Sequence, residues 1–237
     1  MSSILMGGSP KVNLQHKMRV MDCKNFYEKN YAYFQSSGLQ ANYIRLSHQL
    51  MEKTNHYYAK NILEIGGGAG EHVKFVKSVF ETYILSDIRS IPKEVLLPEK
   101  VKFEAADAHK LPFANTHFDR IISTCVLHHL DNPRQALFEI LRVWDKTGVV
   151  TILVPTDPHF LYVLSKKLFV NRKWRSRGIL NPLDKHWDEH KNHFLAIDYK
   201  IKEVFSEYKV KKIAWPLHFV TIPGLNLFVV YQITPKN

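Results

Sequence analysis

The sequence predicts an α/β fold, a mostly parallel sheet with helices on both faces. Three observations lead there. Short apolar runs alternate with helical patterns across residues 61–155. Glycines at 66, 67, 68 and 70 follow the first apolar run directly. Two more strand-like runs, Tyr208–Trp215 and Leu225–Thr234, close the chain. With 237 residues, 45% of them hydrophobic, a sizeable core can form and global disorder is excluded.

The elements follow in order. Residues 1–13 hold no apolar periodicity and are expected to be disordered. Residues 14–58 read as helical. Within it Asn25–Phe34 is dense in aromatics, and Tyr43, Ile44, Leu46, Leu50 and Met51 fall at mostly helical spacing. The core begins at Asn61. Ile62-Leu63-Glu64-Ile65 is a strand, the glycines a tight turn, and Glu71–Val76 a helix start. Glycine permits positive φ and close approach of a ligand, and a helix start offers free N–H groups. Such a turn suits a nucleotide-like cofactor at the carboxyl end of a strand.

The spacing narrows the cofactor. A dinucleotide fingerprint is G-x-G-x-x-G, whereas this turn is Glu64-x-Gly66-x-Gly68-x-Gly70. A second strand, Tyr83–Ser86, ends in Asp87, 17 residues beyond Gly70. A carboxylate there can accept both ribose hydroxyls, or serve only as a turn or capping residue. Next come Val101–Ala108 with Asp107, then Leu111-Pro112-Phe113. Phe118–Leu130 ends in His128-His129-Leu130. Ala136–Gly148 reads as helix and turn, and Val149–Pro155 as the fifth strand.

These blocks, in this order, resemble the class I S-adenosylmethionine-dependent methyltransferases, and most closely their type 11 subgroup, which acts mostly on small molecules. The resemblance covers about two fifths of the chain, residues 61–155. It implies a Rossmann-like seven-stranded sheet whose last strand is antiparallel, with an N-terminal helical cap and a lid insertion after the fifth strand. It implies S-adenosyl-L-methionine as cofactor, held by Glu64, Gly66, Gly67, Gly68, Gly70, Asp87, Ile88, Asp107, Ala108 and Thr124. Asp107 would meet the adenine amino group, and Arg45 of the cap either reaches the cofactor carboxylate or stays exposed. The domain then divides into a cap (14–58), a cofactor core (61–155), a substrate lid (156–200) and C-terminal strands (201–237).

The lid carries the distinctive residues. His159–Val170 is apolar with two lysines, and six positive residues with no acidic one lie between Lys166 and Arg177. The stretch reads either as a solvated basic loop or as an anion site. It makes a phosphorylated or nucleotide-linked small substrate, or peripheral membrane contact through 159–177, compatible with the sequence. His186, His190 and His193 fall at i, i+4 and i+7. Trp187 breaks the H-E-x-x-H pattern, so no metal is expected from this spacing.

The net charge of +11 invites anionic partners. No nucleic-acid-binding module accompanies it, and Ser123-Thr124-Cys125-Val126 stands where an N-P-P-Y tetrad for amino methylation of bases would lie. No specific nucleic acid is therefore expected. Cys23 and Cys125 suggest no disulfide framework, and Cys125 reads as a small core residue in a strand. With no apparent signal peptide or membrane span, a cytoplasmic location is expected, at most peripheral to the inner membrane face.

Two sets of histidines are candidate general bases for a hydroxyl acceptor. His128 and His129 end the fourth strand; His190 and His193 come from the lid. The leading expectation is methylation of a sugar or similar polar metabolite. The alternatives are a lipid-type acceptor, RNA, or a cofactor-binding subunit without activity.

Overall fold

The computed structural model describes residues 38–53, 58–92, 94–170, 175, 189–218 and 222–236. Expectations for 1–37, for most of the basic run and for His186 lie outside the described residues. The chain forms two compact units, Met1–Ile44 and Arg45–Asn237. The sheet belongs to the second.

Seven strands form one sheet: β1 (Tyr58–Ile65), β2 (Val79–Asp87), β3 (Val101–Ala105), β4 (Phe118–Thr124), β5 (Trp144–Pro155), β6 (Lys209–Trp215) and β7 (Phe228–Thr234). Their order is β3-β2-β1-β4-β5-β7-β6, with β7 antiparallel to both neighbours and every other pairing parallel. This is the expected seven-stranded sheet with its last strand inserted antiparallel. Chain order reverses between β1 and β4, where a parallel sheet opens a crevice beyond its strand ends.

Two helices cover one face. Asn132 caps α2 (Pro133–Val143) by accepting from Gln135 N–H at 3.2 Å, with Pro133 at the first turn. Ala136, Leu137, Ile140 and Val143 form its buried stripe, and Phe194, Ile197, Ile201 and Val204 that of α4 (Phe194–Val204). Both stripes join Leu63, Ile121, Ile152 and Tyr231 in one core cluster. Helix α4 belongs to this layer, although it straddles the expected division between lid and C-terminal strands at residue 200. A short helix, α3 (Phe160–Ser165), follows β5 and runs into a π-helical turn, Lys166–Val170.

Residues alternate across a strand, so Glu64, Arg120, Thr124 and Gln232 face the other way. The end of helix α1 (Gly38–Met51) and the residues after it meet that face. Thr124 Oγ1 donates to Met51 Sδ at 3.4 Å, and Gln232 Nε2 to the Lys53 carbonyl at 2.8 Å. Arg120, fully buried, pairs with Glu52 and donates to Ser78 Oγ. Glu52 Oε1 also accepts from His72 Nε2 at 2.9 Å. Burial pushes the Glu52 carboxyl up, but His72 and Arg120 outweigh it and hold it below its ordinary value.

Two expectations need correction. No α-helix follows the glycines; a single 3-10 turn, Val73–Phe75, precedes β2. Only eight residues separate Gly70 from β2, too few to repay helix nucleation. His72 and Phe75 are also committed sideways to His48, with His72 Nδ1 2.7 Å from His48 Nδ1 and Phe75 stacked on it at 5.0 Å. The fifth strand begins at Trp144, directly after α2, instead of at Val149.

Glu52→Ala removes the partner of a fully buried guanidinium. Urea unfolding should show a loss of about 3–5 kcal/mol, whereas an exposed control such as Glu81→Ala should change stability by less than about 1 kcal/mol.

Candidate functional site

The crevice is built at the carboxyl ends of β1, β2, β3 and β4. Gly66, Gly68 and Gly70 take φ of 67°, 55° and 83°, the left-handed region that glycine enters without strain. Space decides as strongly as torsion. A Cβ at Gly66 would lie 2.2 Å from Val126 Cγ2, and one at Gly67 2.1 Å from Leu85 Cδ1. The glycine turn therefore lies directly against the turn after β4.

Asp87, 5% exposed, ends β2. Its Oδ2 accepts from Gly68 N–H at 3.1 Å, and its Oδ1 from Arg89 N–H at 2.9 Å and Arg89 Nε at 3.2 Å. The carboxylate thus ties the glycine turn to its own strand. Ile88 beside it is 74% exposed. Ala106 N–H donates to the Asp87 carbonyl at 3.0 Å, bringing the end of β3 alongside. Asp107 accepts from His109 N–H at 2.9 Å and Nδ1 at 2.7 Å. Those two bonds hold its carboxyl below its ordinary value. Ala108 is buried.

Glu64 lies beneath the turn. It is 1% exposed and accepts from Tyr83 OH at 2.6 Å. A Cβ at Gly67 would stand 2.8 Å from its carboxyl carbon. Burial raises the Glu64 pKa to about 7, against the opposing charge of His72 and the Tyr83 bond.

Beyond β4 the chain turns at Cys125 with φ of 56° into a 3-10 turn, Leu127–His129. Cys125 is therefore in the turn and not in the strand as expected. Burial pushes its thiol up to about 12, which leaves no thiolate for nucleophilic work.

The segment 189–192 docks on this turn. His129 Nδ1 donates to the Glu189 carbonyl at 2.9 Å, and Asn192 N–H to the His128 carbonyl at 3.2 Å. Asn192 Nδ2 reaches the Leu130 carbonyl at 2.7 Å, and Lys191 pairs with Asp131 at 2.6 Å. His190 is thereby brought beside the histidine pair. Its ring centroid lies 4.2 Å from that of His128 and 5.0 Å from that of His129. His190 Nδ1 donates to Asp157 Oδ2 at 2.6 Å, with both side chains buried. Lys166, whose ammonium lies 5.2 Å from the Tyr162 ring, is lowered by burial; Asp157, Cys125 and Glu189 oppose that shift.

Three of the four candidate bases thus converge, and His193 stands apart at the start of α4. Sequence reasoning missed Asp157 and singled out Lys166 only as part of the basic run. For Asp157 a signal existed: a carboxylate just past the end of the fifth strand, on the edge where parallel sheets place their ligands. Nothing local placed Lys166 near Asp157 and Cys125, because those groups are distant in sequence.

Comparisons agree with this architecture. Residues 63–152 match the family model described as "Methyltransferase domain". The ubiquinone/menaquinone biosynthesis C-methyltransferase UbiE of Coxiella burnetii is 31% identical over 110 residues, 42% of this chain and 44% of that protein. The uncharacterized methyltransferase YcgJ of Bacillus subtilis is 31% identical over 120 residues, 46% of this chain and 47% of that one. The chain spans less than half the length of these curated relatives. The crystal structure of YcgJ superposes with a TM-score of 0.53 at 19% identity, covering 81% of this chain and 100% of that one. The N-methyltransferase NodS of Bradyrhizobium japonicum, solved with S-adenosyl-L-homocysteine, gives 0.56 at 12% identity, covering 86% and 91%. At these identities the solved structures establish the fold alone.

Glu64 gives a pH signature. Its folded pKa of about 7 exceeds the ordinary 4.5, so its contribution to stability is complete below pH 4.5 and is lost as pH rises through 7. Glu64→Gln removes this titration. Between pH 5 and pH 8 the variant's stability should rise relative to wild type by on the order of 2–3 kcal/mol. A difference constant over that range would mean that Glu64 titrates as an ordinary carboxyl.

Proposed function

We propose that this chain, whose residues 63–152 carry a class I methyltransferase domain of the type 11 kind, transfers a methyl group from S-adenosyl-L-methionine to a hydroxyl of a small polar molecule, such as a sugar. One observation carries the reading. The glycine turn and the histidine turn meet, with Gly66 packed against Val126, two residues before His128. A cofactor held by the first turn would have its methyl group supplied beside the second, where His128, His129 and His190 meet.

The roles follow from position. Gly66, Gly67, Gly68 and Gly70 leave room for the methionine half of the cofactor, with Glu64 supporting the turn from below and Thr124 at the adjoining strand end. Asp87 takes the ribose hydroxyls, exchanging bonds it now receives from Gly68 and Arg89. Ile88, Asp107 and Ala108 flank the adenine. NodS, solved with S-adenosyl-L-homocysteine, supports the choice of cofactor.

The sulfonium already activates the methyl carbon, so the protein supplies alignment, exclusion of water and a place for the acceptor's proton. His190 suits the last task. Asp157 holds Nδ1–H, which leaves Nε2 as the basic nitrogen. As the oxygen attacks, its proton passes to His190. The carbon–sulfur bond breaks, and its electron pair stays on sulfur as a neutral thioether.

A lipid-type acceptor is the second reading, favoured by the quinone-pathway name of the UbiE relatives and by Phe160 and Leu168, 70% and 57% exposed beside Lys167. No helix among the described residues is long and apolar enough to cross a membrane. Contact through 159–177 would be peripheral.

Labelled methyl transfer into a fractionated bacterial extract separates the two readings. Label in the water-soluble small-molecule fraction is expected, and Asp87→Ala should abolish it at limiting cofactor. Label in the organic fraction would replace the polar acceptor with a lipid. Asp157→Asn should lower kcat about 100-fold, with the affinity for S-adenosyl-L-homocysteine unchanged. An unaltered kcat would remove His190 as the proton acceptor.

A further inference from the structure

We propose that His128, His129 and His190 form a binding site for a divalent transition-metal ion of the zinc type, at the point where the acceptor meets the methyl donor. The inference rests on the preceding reading for the cofactor and the acceptor, though not for the ion's binding, and with the ion present His190 is a metal ligand instead of the proton acceptor.

The argument begins with convergence. One nitrogen of each ring lies within 4.8 Å of one nitrogen of each of the others. The ring centroids of His128 and His129 are 4.0 Å apart. No local spacing produces this set, because the third ring enters from a segment about 60 residues away. The lid histidines at helical spacing do not make it either: His193 lies outside the group.

The outer hydrogen bonds are those of metal ligands. A metal-binding imidazole donates its second N–H to a carboxylate or a backbone carbonyl, which fixes the tautomer and raises the basicity of the ligating nitrogen. His190 donates Nδ1–H to Asp157, and His129 donates Nδ1–H to the Glu189 carbonyl. Both rings therefore keep Nε2 as the lone-pair nitrogen. Imidazole sets favour zinc, cobalt, nickel and copper over magnesium or calcium.

The distances are close to what an ion needs. Zinc bonds imidazole nitrogen at about 2.0–2.1 Å in tetrahedral geometry, which sets ligand nitrogens roughly 3.3 Å apart. With the nitrogens within 4.8 Å of one another, the rings need close by no more than about 1.5 Å. The surroundings permit it, since His129 is exposed at its turn and Glu189–Asn192 is held to that turn chiefly by hydrogen bonds. Three histidines leave the fourth position open, as in catalytic sites.

That position is where the acceptor oxygen would bind. The ion lowers the pKa of a bound hydroxyl, its proton leaves to solvent, and the oxygen's electron pair forms the bond to the methyl carbon as the carbon–sulfur bond breaks. The ion thereby takes over from His190 the work of ionising the acceptor.

Cobalt(II) titration of the chelator-treated protein tests the site without any acceptor. Wild type should bind one equivalent at micromolar or better affinity and show the visible absorption of four- or five-coordinate cobalt, displaced by zinc. His190→Ala should bind at least 100-fold more weakly, and so should His129→Ala, whose exposed ring can be removed without opening the core. His193→Ala should bind as wild type does. Binding of S-adenosyl-L-homocysteine, followed by calorimetry, verifies that each variant is folded. Millimolar cobalt affinity in wild type, or wild-type affinity retained in either the His129 or the His190 variant, would overturn the site. Failure of wild type to bind S-adenosyl-L-homocysteine would instead overturn the methyltransferase reading and leave the metal result standing.

Discussion

The parallel pairing of β1 with both β2 and β4 is the constraint on which the rest depends. Ile65 lies opposite Ser86 on one side and Ser123 on the other, so the three strands end level. Whatever follows each strand must share one crevice. The turn after β1 and the turn after β4 then compete for the same volume, and a side chain at position 66 would collide with Val126. Glycine resolves that conflict and supplies the positive φ that the turn requires. The glycine turn and the histidine turn are adjacent because the sheet leaves them no other arrangement.

Beneath the crevice, polar groups are buried among the aliphatic side chains Ile62, Leu85 and Ile122. Glu64, Tyr83, Arg120, Glu52, His72 and His48 join into pairs and short chains of hydrogen bonds. Taking such groups out of water is expensive, and only close pairing offsets it. Burial, with the charges of His72 and Lys74, drives the His48 pKa down to about 3, so that ring stays neutral at ordinary pH. The opposite face shows the contrast: there α2 and α4 bury an almost wholly apolar cluster.

The candidate catalytic groups come together by docking. Segment 189–192 binds the turn after β4 through backbone and side-chain hydrogen bonds on both sides of His190. Asp157, two residues past the end of β5, completes the arrangement from a third segment. A group assembled from separate segments is held in place by the hydrogen bonds at its edges.

The sequence by itself determined the sheet. Alternating apolar runs, glycine spacing and terminal carboxylates are local signals, and each strand reads them from its own residues: Asp87 closes β2 and the glycines close β1 as expected. It also identified His128, His129 and His190 one by one. Only the tertiary structure decided what surrounds them. The Glu71–Val76 pattern reads as a helix because periodicity counts neighbours along the chain, yet His72 and Phe75 are drawn to His48 across space. Helical spacing likewise groups His190 with His193, whereas folding places it against His128 and Asp157. Local propensity is a property of adjacent residues. A buried ion pair, a shared proton or a convergent set of imidazoles is a property of distance, and distance is fixed only when the sheet brings its strand ends together.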